Sequence, residues 1–163
     1  MSCKNNGLRK AAEKAPKRPV IFLDVDGVLI TRRSLNMRTP TPRCVQRLNE
    51  LCRASGAALV VSSVWRLGQS LKALRSLLRG WGVEGRVIGS TPDINGEERG
   101  REIAAWLLAH PETERYVILD DDADMAHLKP QLVQTGFTYG LTHHERRRAA
   151  AVLTREPIAL NAE

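Results

Sequence analysis

The chain has 163 residues, 42% of them hydrophobic, which suits one globular domain and is too few for two. No apolar run approaches the roughly 18 residues that a membrane helix needs, and the N-terminus lacks the apolar centre of a secretory signal. We therefore expect a cytoplasmic protein with no membrane partner. The formal net charge of +7 favours polyanionic or phosphorylated partners.

Residues 19–156 alternate short β-branched runs with longer segments of helical period, which predicts βαβ units around a parallel sheet. The basic residues 1–18 are predicted to be a flexible tail, and residues 157–163 a second tail. In chain order, the predicted elements are strand 20–23, a helix from Pro42 to about Gly56, strand 58–61, a helix over about 69–79, strand 86–89, a helix from about Glu97 to before Pro111, strand 116–119, strand 132–134 and a terminal helix capped by Thr142.

Polar clusters follow three of these strands at their carboxyl ends. Asp24 and Asp26 follow the first strand, Ser62 and Ser63 follow the second, and the acidic run 120–122 follows strand 116–119. Ligands of doubly wound sheets bind at this edge, because the loops that leave the strands converge there. The sequence is therefore predicted to build a single crevice.

Asp24 and Asp26 lie two residues apart at the end of a buried strand, so their side chains point to the same side. Burying two like charges so close together is costly unless a cation or hydrogen bonds compensate them. A helix cap or a turn would need only one carboxylate. Gly27 permits the sharp departure from the strand that lets both side chains face the crevice.

Residues 20–28, Val-Ile-Phe-Leu-Asp-Val-Asp-Gly-Val, resemble the first motif of haloacid dehalogenase-like (HAD) hydrolases. The resemblance implies a three-layer α/β/α Rossmann-like fold with a central parallel sheet. It also implies a Mg²⁺-dependent phosphoric monoester hydrolase in which Asp24 is the nucleophile that becomes an aspartyl phosphate. Asp26 is then the general acid/base. This second carboxylate favours phosphoester hydrolysis over the dehalogenase and P-type pump members, which lack it.

Mg²⁺ also suits these residue types independently of the resemblance, because it prefers oxygen ligands and offsets the charge of phosphoryl oxygens. The resemblance implies that Asp24 and the backbone carbonyl of Asp26 are ligands. Asp121 is the preferred third ligand and Asp120 the alternative, since four acids in five residues leave the register of this motif open.

Two further motifs of the family have counterparts in the chain. Ser62 resembles the Ser or Thr whose hydroxyl holds the transferring phosphoryl group, and Ser63 is the alternative. Arg99 resembles the basic residue near a helix start that offsets the charge of nucleophile and phosphate. An exposed helix-face arginine is the alternative interpretation of Arg99. Arg66 is a candidate substrate contact beside Trp65, which either lines the substrate entrance or packs beneath a loop.

The segment 62–66 and several shorter stretches resemble the branch of this superfamily found as the phosphatase domain of RNA-repair proteins. The gaps after the first and second motifs are too short for a cap domain, so the resemblance implies an open crevice that admits macromolecular ends. Arg32, Arg33 and Arg38 lie in the flap-like stretch 30–40 beside Asp26, where they are candidates to contact a phosphate backbone.

Three functions remain open at this point. The first is a phosphatase for a nucleic-acid end, which the basic charge, the missing cap and the resemblance favour. The second is a phosphatase for a small metabolite, nucleotide or phosphoprotein. The third is a non-catalytic module that binds magnesium or receives a phosphoryl group. Asp26 argues against the third, because a phosphoacceptor domain needs no acid/base catalyst two residues further on.

Overall fold

A computed structural model describes residues 17–96 and 98–155. The two predicted tails lie outside these residues, apart from Lys17 and Arg18, and stay predictions. The strands and helices, in chain order, are β1 Val20–Leu23, α1 Pro42–Ser55, β2 Ala58–Val61, α2 Leu71–Gly80, β3 Val87–Ser90, α3 Arg99–Ala109, β4 Tyr116–Asp120, β5 Leu132–Gln134 and α4 His143–Thr154. Short 3-10 helices lie at Leu35–Met37, Val64–Arg66 and Ala126–Gln131.

The five strands form one parallel sheet in the order β3-β2-β1-β4-β5. The central strand is β1, in which Val20 is opposite Ala58 of β2 on one side and Tyr116 of β4 on the other. The chain builds outward from β1 to β2 and β3, then crosses back to place β4 on the other side. The gap between β1 and β4 is thus the point where the strand order reverses, which is where such sheets bind ligands.

Side chains of β1 alternate between two apolar clusters, one on each face of the sheet. Ile21 and Leu23 belong to the larger cluster with α1, α2 and α4, whereas Val20 and Phe22 belong to the smaller cluster with α3. Phe22 makes an edge-to-face contact with Trp106 of α3, with ring centroids 5.3 Å apart. Helices therefore cover both faces, and the predicted three-layer α/β/α fold is confirmed.

The helix ends show why the sequence patterns located these elements well. Pro42 is the first residue of α1, and Gly56 closes that helix with a left-handed φ of +66°. A capping box joins Thr142 and Glu145 at the start of α4. The helix predicted from about residue 69 begins at Leu71, because the hydroxyl of Ser70 accepts the N–H of Ala73 and caps it there.

The connections at the carboxyl edge contain few additional elements. Between β1 and α1 the chain forms only loops and the 3-10 helix Leu35–Met37, and between β2 and β3 it forms one 3-10 helix and α2. The described residues thus hold no inserted cap domain, in agreement with the sequence. None of the described helices is long and apolar enough to span a membrane.

Candidate active site

The loop after β1 is fixed by backbone hydrogen bonds that hold Asp24 at the β1/β4 gap. Asp24 is 4% exposed, and its N–H donates to the carbonyl of Leu119 at 3.0 Å. The chain then turns at Gly27, whose N–H donates to the carbonyl of Ile30 at 2.8 Å. The hydroxyl of Thr135 donates to the Gly27 carbonyl at 2.7 Å. Both aspartates of the motif are therefore presented by a rigid turn.

Gly27 is required at this turn for two separate reasons. Its φ is +74°, in the left-handed region that side chains disfavour. In addition, a Cβ placed on Gly27 would lie 2.3 Å from Cγ of Asp121. The absence of a side chain lets the carboxylate of Asp121 pack directly against the β1 loop.

Three carboxylates meet at this gap. Oxygen atoms of Asp24, Asp120 and Asp121 lie within 4.8 Å of one another. Asp120 is fully buried as the last residue of β4, and burial together with the charge of Asp24 raises its pKa to about 7. Burial and the same charge also raise the pKa of Asp121. A donor set of crowded carboxylate oxygens fits a divalent hard cation such as Mg²⁺.

Arg99 is the first residue of α3 and reaches back to two of these acids. Its Nη1 atom lies 2.9 Å from Oδ2 of Asp24 and 2.7 Å from Oδ2 of Asp120. Burial alone would lower the pKa of Arg99, but the charges of Asp24 and Asp120 raise it above its ordinary value. The structure thus brings Arg99 to the nucleophile candidate, as the sequence predicted.

Gly100 explains how α3 comes close enough to the acidic loop after β4. A Cβ on Gly100 would lie 2.5 Å from the backbone carbonyl carbon of Met125, and the Gly100 N–H donates to the carbonyl of Asp124. Arg99 therefore supplies the positive charge, and Gly100 lets the helix lie close enough to the loop for that charge to reach the site.

Ser62 and Ser63 follow β2 and differ in what their hydroxyls do. Both residues are fully buried. The Ser62 Oγ has no hydrogen-bond partner among the described residues, whereas the Ser63 Oγ accepts the N–H of Trp65 and caps the 3-10 helix Val64–Arg66. A buried hydroxyl without a partner is costly unless a ligand satisfies it. Ser62 is therefore the better candidate for the phosphoryl contact.

The structure corrects the prediction that Arg66 contacts substrate. Arg66 is 6% exposed, and its guanidinium makes five polar contacts within the protein, which matches its five N–H donors. The acceptors are the carbonyls of Ser62, Ser63, Thr91 and Pro92 and the carboxylate of Glu102. Arg66 thus holds the loops after β2 and β3 together, and no donor is left for a substrate.

Trp65 has a role that sequence reasoning left undecided. Its indole Nε1–H donates to Oδ2 of Asp26 at 2.9 Å, so the ring borders the second aspartate of the motif. A tryptophan directly after a site strand was the only signal in the sequence. The partnership itself depends on the path of two loops that are 39 residues apart.

Comparison with known proteins adds a family to this geometry. Residues 20–145 match the family model described as the HAD domain in Swiss Army Knife RNA repair proteins. No curated protein and no solved structure gives a significant match to the chain. The match covers β1 to the start of α4, which includes every candidate site residue named above. The chain therefore belongs to the family of HAD domains found in Swiss Army Knife RNA repair proteins.

Proposed function

We propose that the protein is a Mg²⁺-dependent phosphatase that hydrolyses a phosphomonoester through an aspartyl phosphate on Asp24. The observation that carries this proposal is the arrangement of Asp24, buried at the strand-order reversal, with Arg99 at 2.9 Å and two further carboxylates close by. A phosphoacceptor domain or a simple metal-binding module would not need Asp26, which the β1 loop and a hydrogen bond from Trp65 hold in place two residues after Asp24.

The proposed reaction has two steps. A carboxylate oxygen of Asp24 attacks phosphorus, the bond from phosphorus to the leaving oxygen breaks, and Asp26 gives its proton to that oxygen. Asp26 then takes a proton from water as the water attacks the aspartyl phosphate, which releases inorganic phosphate and restores Asp24. Each aspartate is thereby returned to its starting state.

The remaining side chains stabilise charge during both steps. Arg99 offsets the negative charge of the nucleophile and of the phosphoryl oxygens, and the unpaired hydroxyl of Ser62 donates to one of those oxygens. Asp24, Asp121 and the carbonyl of Asp26 would hold Mg²⁺, with Asp120 nearby as a ligand or as the partner of Arg99. When bound, Mg²⁺ supplies positive charge that makes phosphorus easier to attack.

The substrate class we propose is the phosphorylated end of a nucleic acid. The family is that of HAD domains in RNA repair proteins, and the described residues include no cap that would exclude a polymer. Arg32, Arg33 and Arg38 are exposed on the flap beside the aspartates, where they would meet the backbone phosphates of a bound strand.

The test is phosphate release with Mg²⁺ or with EDTA, from an aryl phosphate and from oligonucleotides that carry a 3′- or a 5′-phosphate. We expect release that requires Mg²⁺, favours one oligonucleotide end and is lost in Asp24→Asn. Activity that survives in Asp24→Asn would contradict the mechanism. Efficient release from free monomers or phosphopeptides, unaffected by competing oligonucleotide, would contradict the substrate class.

A further inference from the structure

A cavity of about 320 Å³ borders Asp26, the second aspartate of the first motif. Its lining residues are Asp26, Ile30, Leu35, Asn36, Arg38 and Trp65. Its volume is at the lower end of the range for pockets that hold small ligands. The acidic cluster and Arg99 do not line it, so the proposed chemistry does not yet account for this space.

The position of Asp26 indicates what the cavity would hold. In the proposed mechanism Asp26 protonates the leaving oxygen, so the group bonded to that oxygen must lie next to the Asp26 carboxyl. Asp26 itself is one of the residues that line the cavity. It is therefore a candidate pocket for the leaving group, and this step rests on the proposed function.

Trp65 fixes one oxygen of the Asp26 carboxyl. The bond from Nε1 to Oδ2 is 2.9 Å, which leaves Oδ1 for the leaving oxygen of a substrate. The indole is itself held in place, since it makes an edge-to-face contact with Trp81, with ring centroids 5.2 Å apart. Its backbone N–H donates to the hydroxyl of the buried Ser63. The general acid is thus oriented by a ring that packing keeps still.

The guanidinium of Arg38 lies over the ring of Trp65. Its guanidinium carbon is 4.6 Å from the centroid of the Trp65 ring. The backbone of Arg38 has a left-handed φ of +49°, which arginine adopts rarely, and this conformation ends the 3-10 helix Leu35–Met37. Arg38 is exposed and forms no ion pair with any other described residue. Its N–H groups therefore stay available to an anion in the cavity.

The flap that carries Arg38 is anchored at both of its ends. The hydroxyls of Thr31 and Thr41 lie 2.8 Å apart, and the hydroxyl of Ser34 lies 3.2 Å from that of Thr41. The N–H of Thr41 also donates to the carbonyl of Leu29. These bonds close the stretch from residue 31 to residue 41 into a loop of defined shape. These hydrogen bonds thus help to hold the flap in the shape that places Arg38 over Trp65.

We propose that this cavity selects the leaving group: Trp65 positions the general acid Asp26, and Arg38 binds a phosphodiester one nucleotide away from the phosphate that is removed. Arginine suits that ligand, because its N–H donors can form two parallel bonds to phosphate oxygens. Leu35 and Asn36 are exposed and line the same cavity, where they complete a wall suited to the intervening nucleoside. The preferred substrate is then an oligonucleotide end rather than a free nucleotide.

The first experiment tests Trp65 with Trp65→Phe, which keeps a ring beside Trp81 and removes the N–H. A good leaving group such as p-nitrophenolate leaves without a proton, whereas the sugar oxygen of an oligonucleotide end needs one. We expect kcat/KM for the oligonucleotide end to fall about 10- to 100-fold and that for p-nitrophenyl phosphate to change less than about threefold. Asp26→Asn should show the same selectivity with a larger loss. Equal losses on both substrates, or no loss on either, would overturn the positioning role.

The second experiment tests Arg38 with Arg38→Asn, chosen because asparagine accepts a left-handed backbone better than most residues. Substrates are a dinucleotide and a mononucleotide that carry the same terminal phosphate. We expect the wild-type protein to favour the dinucleotide and the variant to lose about tenfold in kcat/KM on the dinucleotide alone, as for a lost charged hydrogen bond. Arg86→Asn is the matched control, because Arg86 is exposed just before β3, at the opposite edge of the sheet.

The outcomes separate this inference from the proposed function. If the wild-type protein releases no phosphate from any substrate, or Asp24→Asn stays active, the proposed function fails and the leaving-group pocket fails with it. If release depends on Asp24 but Arg38→Asn affects both nucleotides equally, or neither, only the pocket assignment is overturned.

Discussion

Two arginines border one cavity of about 310 Å³ near the acidic cluster, and they use their donors in opposite ways. Arg66 gives its five N–H groups to four carbonyls and to Glu102. Arg99 shares one nitrogen, Nη1, between Asp24 and Asp120, and its other N–H groups have no acceptor among the described residues. All the N–H donors of Arg66 are thus bonded within the protein, whereas Arg99 has donors that can bind further oxygen atoms.

The difference teaches that burial and ion pairing do not by themselves identify a functional arginine. Arg66 is the more buried of the two, with 5% of its side chain exposed against 20% for Arg99. What distinguishes Arg99 is the crowding of like charges around it, because Asp24, Asp120 and Asp121 bring more negative charge than one guanidinium offsets. A cluster with uncompensated negative charge indicates a site for a cation or a phosphorylated substrate, whereas a charge-balanced ion pair indicates a structural role.

The largest expected effect comes from the open cluster itself. Asp24→Asn should lower kcat by about 10⁴-fold or more, roughly 5 kcal/mol in activation free energy, because the amide cannot form an aspartyl phosphate. The same change removes a negative charge beside Asp120 and should leave the free energy of unfolding equal or higher in the absence of metal. Paired turnover and urea-unfolding measurements check both parts, and a strongly destabilised Asp24→Asn protein would contradict the second.

Arg66→Met should act on stability rather than on chemistry. The change leaves the buried carboxylate of Glu102 without its ion-pair partner and removes the guanidinium donors of four carbonyls, so we expect a loss of about 3–5 kcal/mol in the free energy of unfolding. Urea denaturation measures this loss, and turnover per folded molecule should remain within a few-fold of wild type at low temperature. The double variant Arg66→Met with Glu102→Leu is the control, since it removes the unpaired charge and should recover part of the stability.

Arg99→Gln should have the opposite pattern. Loss of the positive charge beside Asp24, the proposed nucleophile, should lower kcat/KM by about 10²–10³-fold, roughly 3–4 kcal/mol, as for one lost transition-state contact. Stability should fall less than in Arg66→Met, because Arg99 is more exposed and Mg²⁺ can offset the acids in its place. Steady-state kinetics and denaturation curves are measured on both variants. If Arg66→Met and Arg99→Gln both mainly lowered kcat/KM, or both mainly lowered the free energy of unfolding, the two arginines would not have the different roles assigned here.

The sequence predicted the fold closely because its signals are local. Consecutive apolar residues mark the strands, and the pairs of Thr41 with Pro42 and of Thr142 with Glu145 mark helix starts. The strand ends then place Asp24, Ser62 and the acidic run at one edge of the sheet, since parallel strands share that edge.

The roles of Arg66 and Trp65 could not be predicted, because both depend on contacts between distant loops. Arg66 meets Thr91 and Glu102, which lie 25 and 36 residues further along the chain. An arginine beside a site strand has the same sequence signature whether its donors face a substrate or the protein. The sequence likewise could not separate Asp120 from Asp121, since both carboxylates reach the cluster and only the fold shows that Asp120 also contacts Arg99, 21 residues earlier in the chain.

Metal removal and pH provide the smallest but most direct test of the open cluster. Burial and the charge of Asp24 raise the pKa of Asp120 from 3.8 to about 7 in the folded protein without metal. Between these two pKa values the folded state keeps a proton on Asp120 that the unfolded state has lost. The contribution of Asp120 to the free energy of unfolding is therefore fully present below about pH 4 and is lost as the pH rises through 7. In EDTA, the free energy of unfolding should fall between pH 5 and pH 8 on this account.

Mg²⁺ should reverse that trend, because it takes the place of the proton among the same oxygens. At a free concentration of 100 times its dissociation constant it should add about 2.7 kcal/mol at pH 8, and less at pH 5, where protons compete. Urea denaturation with Mg²⁺ and with EDTA measures how much free energy of unfolding Mg²⁺ adds at pH 5 and at pH 8. Asp120→Asn should flatten the pH dependence in EDTA, because it removes the carboxyl whose pKa is raised. An equal Mg²⁺ increment at both pH values would mean that the crowded carboxylates are not what binds the ion.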